Sequence, residues 1–288
     1  MPPVSVEAWA KVNLYLHVTG KRPDGYHLLD SLVVFAGIGD TLRVEAADDL
    51  SLSVDGPTAA LLDGMGGNIV LDAAQALARA AQIPALARIH LTKRLPVAAG
   101  IGGGSADAAA TLLALSRLWG VTLPPAQLHA LALALGADVP VCLRRRPTRM
   151  GGIGDTLAEV PPLPAAWLVL VNPRIGLSTP AVFKARQGCF SAPQPLESSP
   201  ADAEQLAAML AHRGNDLTDA AISLVPDIAE VLQMLQTTPE CLLARMSGSG
   251  ATCFGLFAGQ AQADAAAAAI AAVHGQWWCK SAPLLSAS

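Results

Sequence analysis

The stretch Val97–Ala109, VAAGIGGGSADAA, places four glycines within five positions and continues directly into a helix-forming run. The glycines are Gly100, Gly102, Gly103 and Gly104. Backbone N–H groups at the start of a helix are unpaired and carry partial positive charge, so a glycine-rich loop that leads into a helix forms a site for an anion, phosphate above all. Glycines also serve tight turns and close helix packing. The loop by itself leaves both uses open.

Several common phosphate-binding and catalytic motifs are excluded by the residues around this loop. A P-loop requires a lysine after its glycines, and none follows here. A dinucleotide-binding fingerprint requires an acidic residue about twenty positions later, where this chain reads WGVTLPP. Ser105 does not lie in a GxSxG elbow, and the chain contains no HExxH pattern. Any phosphate site here therefore belongs to another class.

The composition favours a soluble two-domain protein of the cytoplasm. The chain has 288 residues, of which 52% are apolar and 15% charged. Its longest uncharged run, Leu118–Ala137, is broken by Gly120, Pro124 and Pro125, which argues against a membrane span. The first residues, MPPVSVEAWAKV, lack the features of a secretory signal. We therefore expect no membrane partner and a cytoplasmic location.

Charge and cysteine usage exclude two further classes. A net charge of −4 without a block of like charges argues against nucleic acid binding, which requires clustered Lys and Arg. The five cysteines are odd in number, scattered and never in a CxxC pair, so they indicate neither a disulfide framework nor a zinc site. The partners that remain are small molecules, and the chain could be a monomer or a homodimer.

Hydrophobic periodicity predicts an α+β protein. Residues 5–18 alternate as a strand that carries Lys11 and Asn13 on one side. The runs LLDSLVVFAGIGD and TLRVEA predict two further antiparallel strands, and ARIHLTK predicts a strand before the glycine loop. Helices are predicted near residues 68–81, 105–119, 125–135, 178–186, 203–222 and 226–236.

The second half of the chain predicts a separate unit. The strand AWLVLV follows a proline cluster, so we place a domain boundary there, with domains at 1–157 and 158–288. The runs CLLARM and ATCFGLF flank a GSG turn as in a hairpin. An alanine-rich helix and a last strand near Trp277 complete this unit.

The segment LPVAAGIGGGSADAA resembles the second motif of the GHMP kinase superfamily, in which this loop and the following helix wrap the phosphates of ATP. Other segments resemble the same superfamily in the right order, from about residue 5 to residue 257: AWAKVNLYLHVTGKRPDGYHLLDSL, GADVPVCL, GIGDTL, NPRIGLSTPAVF, the NDL at 215–217, and RMSGSGATCFGLF. Such an ordered set is far more specific than one loop. Together the segments are similar to the branch that phosphorylates a cytidine diphosphate-linked alcohol of the non-mevalonate isoprenoid pathway.

The resemblance implies a fold, an activity and cofactors. The fold would pair an N-terminal domain like the second domain of ribosomal protein S5 with a C-terminal ferredoxin-like domain. The activity would be ATP-dependent phosphorylation of a small-molecule alcohol, with ATP as co-substrate and Mg²⁺ as its companion ion. The sequence identifies no metal ligands.

The resemblance also implies a catalytic pair. In such kinases the lysine of AKVNL, here Lys11, lies beside a catalytic aspartate and keeps it ionised. That aspartate corresponds to Asp138 of GADVP, which would accept the hydroxyl proton as the γ-phosphoryl group leaves ATP. Without the family, a lysine on a strand is more commonly solvated, and an aspartate after Gly136 is more commonly a turn or N-cap residue.

Substrate contacts follow from the same resemblance. The implied residues are Asn13, Tyr26, His27, Thr179, Phe183, Gly248, Ser249 and Gly250. Tyr26 and His27 would form part of the cytidine pocket, with Phe183 stacking on the base. From the residues alone, the first two could instead cap a hairpin, Phe183 could belong to the core, and the glycines could simply form a turn.

The implied ATP contacts surround the glycine loop. They are Asn68, Lys93, Pro96, Val97, Ala98, Ala99, Gly100, Ile101, Gly102, Gly103, Gly104, Ser105 and Ala106. This loop departs from the family pattern GLGGGSS, because Ile101 replaces leucine and Ala106 replaces the second serine. Ser105 must then supply any hydroxyl that phosphate or Mg²⁺ needs. Asp107, in the first helical turn, could simply complement the helix dipole.

Two rival functions remain. One is another GHMP kinase, acting on homoserine, mevalonate or a sugar, although the GYH turn and Phe183 favour a nucleotide-linked alcohol. The other is a nucleotide-binding module without catalysis, which Ala106 favours. The presence of both Lys11 and Asp138 favours turnover instead.

Overall fold

The computed structural model describes residues 2–62 and 67–286. The chain forms two compact units that are interleaved along the sequence. Unit 1 consists of the residues up to Ala10, Ile38–Val97 and Gly102–Arg145. Unit 2 consists of Lys11–Gly37, Ala98–Ile101 and the residues from Arg146 onward. The domain boundary at 157/158 that the sequence suggests stays a prediction.

The strands and helices follow one another closely along the chain. The strands are β1 (Val4–Lys21), β2 (His27–Glu45), β3 (Leu50–Asp55), β4 (Ala87–Thr92), β5 (Thr148–Gly152), β6 (Thr156–Ala158), β7 (Trp167–Asn172), β8 (Leu243–Met246), β9 (Cys253–Phe257) and β10 (Trp278–Leu285). The helices are α1 (Ile69–Ala81), α2 (Gly103–Trp119), α3 (Pro125–Leu135), α4 (Val139–Arg144), α5 (Thr179–Ala185), α6 (Ala203–Ala211), α7 (Thr218–Leu224), α8 (Asp227–Thr237) and α9 (Gln260–Val273), with a short 3-10 helix at Ala59–Leu62.

Unit 1 combines strands with a helical layer. β3 runs parallel to β4, and β4 pairs antiparallel with the Thr41–Glu45 part of β2. Helix α2 packs against α1 and α4, and all of its residues from Ala106 to Leu112 are buried. Such a helix needs small or apolar residues nearly all round, which explains the alanine-rich sequence after the glycine loop.

Unit 2 contains an antiparallel sheet in the order β10–β7–β9–β8. Helix α8 precedes β8 and packs on β8 and β9, while α9 joins β9 to β10 and packs on β7 and β10. This is the ferredoxin-like topology that the family resemblance implies. The core between the sheet and these helices includes Val169, Val171, Ile228, Phe257 and Ile270. The predicted α+β class is confirmed.

The prediction of two strands between Leu28 and Ala46 is wrong, because β2 runs without a break through the segment GIGD. Gly37 and Gly39 do not form a turn. Each lies where another segment of the chain approaches too closely for a side chain. A Cβ on Gly39 would lie 2.3 Å from the carbonyl oxygen of Ala8, and one on Gly37 would lie 2.8 Å from Pro283. A glycine in a strand thus marks close approach of another segment.

The prediction of one helix over 203–222 is also wrong, because α6 and α7 are separated by the segment around Gly214. This segment pairs with β1 instead of continuing the helix. The Leu16 N–H donates to the Gly214 carbonyl, and the Asp216 N–H donates to the Leu16 carbonyl, both at 2.9 Å. The Asp216 carboxylate also accepts the Val18 N–H at 2.7 Å. Long-range pairing decides where the helix ends.

Three short strands and one short helix were not predicted. They are β3, β5, β6 and α4. β5 and β6 form a hairpin around the turn GGIGDT, which the sequence shows only as a glycine-rich turn. Elements of three to six residues carry too little periodicity to be separated from loops.

Candidate active site

The second half of the glycine loop forms the start of α2 in unit 1. Gly102 occupies the N-cap position with φ +64°, and no side chain caps the helix. A Cβ on Gly103 would meet Lys93 Nζ at 3.6 Å, and one on Gly104 would meet Ile69 at 4.0 Å, both ordinary contact distances. Protein atoms therefore do not exclude a Cβ at these two glycines. The space beside Gly103 and Gly104 is open for a ligand to approach the first-turn N–H groups of α2.

The first half of the loop, in unit 2, has glycine for a different reason. A Cβ on Gly100 would lie 2.6 Å from the carbonyl oxygens of Ser247 and Gly250, and one on Gly248 would lie 2.7 Å from the Gly100 carbonyl oxygen. Ser247 Oγ donates to that same Gly100 carbonyl at 3.1 Å, and the Thr252 N–H donates to the Ala99 carbonyl. Two backbone segments thus pack directly on each other, and only glycine fits between them.

Lys93 lies in unit 1 between two carboxylates. Its ammonium donates to Asp40 Oδ2 at 2.6 Å and to Asp107 Oδ2 at 2.8 Å. Asp40 Oδ1 also accepts the backbone N–H groups of Arg94 and Leu95. All three side chains of this cluster are buried. We call Asp40, Lys93 and Asp107 the carboxylate–lysine cluster.

The titration of Asp107 departs from that of an ordinary aspartate. Burial raises the pKa of its carboxyl to about 7, and Lys93 offsets only part of this rise. Burial by itself would lower the pKa of Lys93, but Asp107 and Asp40 together raise it above its usual value. Asp107 Oδ1 is buried without a hydrogen-bond partner among the described residues, so a proton is easily kept on this group near neutral pH.

This titration predicts a pH-dependent stability. An aspartate in the unfolded chain has a pKa of about 4, so between pH 4 and pH 7 the folded state binds a proton that the unfolded state has lost. The contribution of this proton to the free energy of unfolding is then fully present below pH 4 and is lost as the pH rises through about 7. Asp107→Asn removes this contribution. Urea unfolding should show the variant gaining about 2 kcal/mol relative to the parent between pH 5.5 and pH 8. A pH-independent difference would contradict the raised pKa.

Lys11 and Asn13 lie side by side on β1 and are buried, although a solvated lysine was the commoner alternative. Lys11 Nζ donates to Asn13 Oδ1 at 2.9 Å, and Asn13 Nδ2 donates to Ser31 Oγ at 2.7 Å. The Asn13 N–H donates to Ser247 Oγ, and the Lys11 N–H donates to the Ile101 carbonyl. The glycine loop is thus fixed directly to the strand that carries the proposed catalytic lysine.

Asp138 immediately precedes α4 and is half-buried. It occupies the N-cap position, but its side chain makes no capping hydrogen bond with the helix. The alternative that this carboxylate serves as an N-cap is therefore not realised. The catalytic role of Asp138 stays a prediction.

An aromatic pair lies at the turn between β1 and β2. The rings of His27 and Phe183 stack with centroids 4.9 Å apart and planes 23° apart, while Tyr26 is 61% exposed. Burial, Lys21 and Arg186 lower the pKa of His27, so its imidazole is neutral at pH 7. Phe183 also packs against the core of unit 2. The alternative that Phe183 belongs to the core is thus partly realised, and its stacking on a cytidine base stays a prediction.

The remaining predicted contacts have structural roles of their own. Asn68 caps α1, because its Oδ1 accepts the Val70 N–H at 2.9 Å. Thr179 Oγ1 and Ser249 Oγ share a hydrogen bond of 2.7 Å. Pro96 is buried, and Val97 is half-buried. Their roles as ligand contacts stay predictions.

Residues 2–62 and 67–286 contain no group of three or more His, Cys, Asp or Glu side chains that could hold a metal ion. No helix there has the combination of length and apolar character that a bilayer crossing needs.

The sequence did not single out Asp40, Ser31 or Ser247. The prediction that Asp107 lies in the first turn of the helix is wrong, because α2 already begins at Gly103 and Asp107 lies in its second turn, paired with Lys93. One signal was present for Asp107, since it is the only acid in an alanine-rich helix whose single other charged residue is Arg117. An ionised group on a buried helix needs a partner, and Lys93 could have been proposed. The two serines gave no comparable signal, because their roles depend on segments distant in sequence.

Comparison with known proteins places this chain in a family. Residues 68–146 match the model of the GHMP kinases N-terminal domain, and residues 196–275 match that of the GHMP kinases C-terminal domain. A 4-diphosphocytidyl-2-C-methyl-D-erythritol kinase from Paramagnetospirillum magneticum is 61% identical over 286 residues, which cover 99% of this chain and 100% of the relative. The chain belongs to the 4-diphosphocytidyl-2-C-methyl-D-erythritol kinase family of the GHMP kinases.

Solved structures agree with this membership. A crystal structure of 4-(cytidine 5'-diphospho)-2C-methyl-D-erythritol kinase superposes with a TM-score of 0.81 at 35% identity, covering 98% of this chain and 99% of the other. A homoserine kinase from Cytophaga hutchinsonii gives a TM-score of 0.73 at 16% identity, with 99% and 95% covered. The second match shows the shared fold alone. The GHMP kinase fold and the assignment as an ATP-dependent kinase are confirmed.

Proposed function

We propose that this member of the 4-diphosphocytidyl-2-C-methyl-D-erythritol kinase family transfers the γ-phosphoryl group of ATP to the 2-hydroxyl of 4-diphosphocytidyl-2-C-methyl-D-erythritol, in the non-mevalonate isoprenoid pathway. Family membership over the full chain supports the substrate. The structural observation that carries the ATP site is the uncapped start of α2, where Gly103 and Gly104 have no protein neighbour that requires glycine.

The start of α2 supports phosphate binding for a physical reason. First-turn N–H groups point along the helix axis, and the helix dipole adds positive potential. The absence of side chains at Gly103 and Gly104 lets phosphate oxygens come within hydrogen-bonding distance of those N–H groups. Lys93 Nζ lies beside Gly103 and gives two of its three N–H donors to carboxylates, which supports it as a nucleotide contact through the third.

Asp138 and Lys11 are the proposed catalytic groups. Phosphoryl transfer to an alcohol needs little covalent chemistry from the protein, so positioning and charge stabilisation dominate. We assign Asp138 as the base that orients the hydroxyl and accepts its proton. Lys11 supplies positive charge, and its bond to Asn13 fixes the direction of its side chain. As the bond between the hydroxyl oxygen and the γ-phosphorus forms, the bond from that phosphorus to the β,γ-bridging oxygen breaks and ADP leaves, while Asp138 takes the hydroxyl proton.

The aromatic pair supports recognition of the cytidine base. A ring such as Phe183 stacks on any flat base, and a neutral His27 imidazole offers one N–H donor and one acceptor nitrogen to a base edge. Tyr26 is exposed beside it and adds a second aromatic surface. These features favour a nucleotide-linked alcohol over homoserine, mevalonate or a free sugar.

Phe183→Ala tests the stacking role. Loss of one base–aromatic contact of about 1–3 kcal/mol should raise the KM for the cytidine substrate roughly 5- to 150-fold, while the KM for ATP stays unchanged. Val182→Ala is the matched control, because the neighbouring Val182 is wholly buried in the core and should lower only the melting temperature. Equal KM increases for both substrates would mark Phe183 as a core residue.

Mg²⁺ is proposed as the companion ion of ATP. This ion is commonly held through phosphate oxygens, waters and one or two protein oxygens, so the lack of a three-ligand cluster in the described residues does not argue against it. Ser105, on the first turn of α2, is the candidate protein hydroxyl. The ion would neutralise phosphate charge during transfer.

A substrate panel tests the proposed function directly. The purified chain is incubated with ATP, Mg²⁺ and either 4-diphosphocytidyl-2-C-methyl-D-erythritol, homoserine, mevalonate or galactose, and ADP release is measured. We expect the cytidine substrate to be preferred by at least about 100-fold in kcat/KM, and phosphorus NMR to place the new phosphate on the 2-hydroxyl. Preference for another alcohol would overturn the substrate, and ATP binding without turnover would support the non-catalytic module.

A further inference from the structure

We infer that Asp107 is a positioning residue for ATP, because it ties the second turn of α2 to Lys93 and thereby fixes the position of the first-turn N–H groups at which the phosphates would bind. The inference rests on the ATP site proposed above. Asp107 itself does not need to touch the nucleotide.

The geometry of the carboxylate–lysine cluster carries the argument. Asp40 accepts two backbone N–H groups at the end of β4 and also holds Lys93 Nζ. Lys93 Nζ then donates to Asp107, which lies in the second turn of α2. The cluster therefore forms a continuous polar link from β4 to the beginning of the helix.

The segment beneath this link is also firmly held. The Thr58 hydroxyl donates to the Leu95 carbonyl at 2.9 Å, and the Thr58 N–H donates to the Lys93 carbonyl at 3.3 Å. A Cβ on Gly103 would lie 3.6 Å from Lys93 Nζ and 3.8 Å from Leu95 Cβ. Gly103 thus rests directly on this segment, and Asp107 holds the helix against it.

Stability does not explain why an ionisable group is buried at this position. Asp107 Oδ1 has no hydrogen-bond partner among the described residues, and a buried oxygen without a partner is unfavourable. Two carboxylates also share one ammonium, so a fully ionised cluster has an excess negative charge. Buried ion pairs commonly add little stability but fix one arrangement of the groups they join. That role matches a loop that must hold phosphate oxygens to within a fraction of an ångström.

The test compares three substitutions of Asp107 by steady-state kinetics. Asp107→Ala removes the link and should raise the KM for ATP about 10-fold or more, with kcat and the KM for the alcohol changed less than about 3-fold. Asp107→Asn keeps an oxygen acceptor for Lys93 and should restore the KM for ATP to within about 3-fold of the parent. Asp107→Glu keeps the charge but lengthens the side chain, so it should also raise the KM for ATP.

The control is Asp72→Ala. Asp72 is likewise acidic and lies in the first turn of the adjoining α1, but it is exposed, and its loss should leave all kinetic constants unchanged. If Asp107→Ala does not fold, the comparison of Asp107→Glu with Asp107→Asn decides the question. An unchanged KM for ATP in a folded Asp107→Ala or Asp107→Glu variant would overturn the inference, as would equal KM increases for both substrates.

Gly103→Val, measured in parallel, separates this inference from the proposed ATP site. If Gly103→Val raises the KM for ATP and the Asp107 variants do not, the ATP site stands and only the positioning role fails. If Gly103→Val leaves the KM for ATP unchanged, the loop does not bind ATP and both fail.

Discussion

Asp138→Asn is expected to lower kcat by roughly 10²-fold or more, with both substrates still binding at nearly unchanged KM. Asparagine keeps the shape of the side chain but cannot accept the hydroxyl proton, and general base catalysis contributes about 10²- to 10⁴-fold. Asp138 does not cap α4 through its side chain, so the substitution should not weaken that helix. Steady-state kinetics and a thermal melt of the same preparation check both statements.

Lys11→Met should have an effect of similar size on kcat. Methionine keeps most of the apolar stem but removes the ammonium that bonds to Asn13. If Asp138 and Lys11 act as one catalytic unit, the double variant should be scarcely slower than either single variant. Losses that multiply would show instead that the two groups act independently.

Asp219→Asn is the matched control for Asp138→Asn. Asp219 is an exposed aspartate in the first turn of another short helix, α7, and its substitution should change kcat less than 2-fold. Near-normal turnover by a folded Asp138→Asn protein would end the assignment of this residue as the base. Lys11 and the positioned phosphates would then be the centre of catalysis.

Gly103→Val is expected to raise the KM for ATP by about 10-fold or more and to depress turnover. A branched side chain would occupy the space through which phosphate oxygens approach the N–H groups of α2. A Cβ on Gly103 would lie 3.6 Å or more from the nearest side chains, those of Lys93 and Leu95, so the first atom of the new side chain fits, and a thermal melt of the variant shows whether its γ-methyl groups disturb the fold. The KM for the alcohol should stay nearly constant.

Stability measurements on alanine variants sharpen this prediction. Gly103 is the first residue of α2, and a Cβ there would make only ordinary contacts, so Gly103→Ala should leave the melting temperature unchanged or raise it slightly. Gly100→Ala should lower it markedly, because its Cβ would lie 2.6 Å from two carbonyl oxygens and its φ is +75°. Equal melting temperatures for the two variants would contradict the different roles assigned to these glycines.

Much of the secondary structure could be predicted from the sequence, because local patterns determine it. The helix from Pro125 to Leu135 and the hairpin formed by β8 and β9 both match their predictions closely. Residue periodicity and terminal signals act over a few positions and need no distant partner. The order of motifs likewise sufficed to recognise the family, since the spacing of many segments is hard to reproduce by chance.

The site was predicted unevenly for the same reason. Lys11 and Asn13 were placed on one side of a strand by their spacing alone, and the structure confirms that they are neighbours. That Lys11 is buried depends on what packs over β1, which no local pattern contains. The stack of His27 on Phe183 joins residues more than 150 positions apart in the chain and is a feature of the folded protein alone.

The opening glycine run shows most clearly what each level decides. The sequence by itself determined that these positions carry no side chains, and it predicted a helix directly after them, whereas α2 already begins at Gly103. Only the tertiary structure decided that Gly100 is required by the carbonyl oxygens of Ser247 and Gly250, whereas Gly103 faces no such neighbour. The physical reason is that glycine is required wherever another group comes too close for a Cβ. At Gly100 the close group is backbone from a segment about 150 residues later in the chain, and no local pattern in the sequence contains that contact.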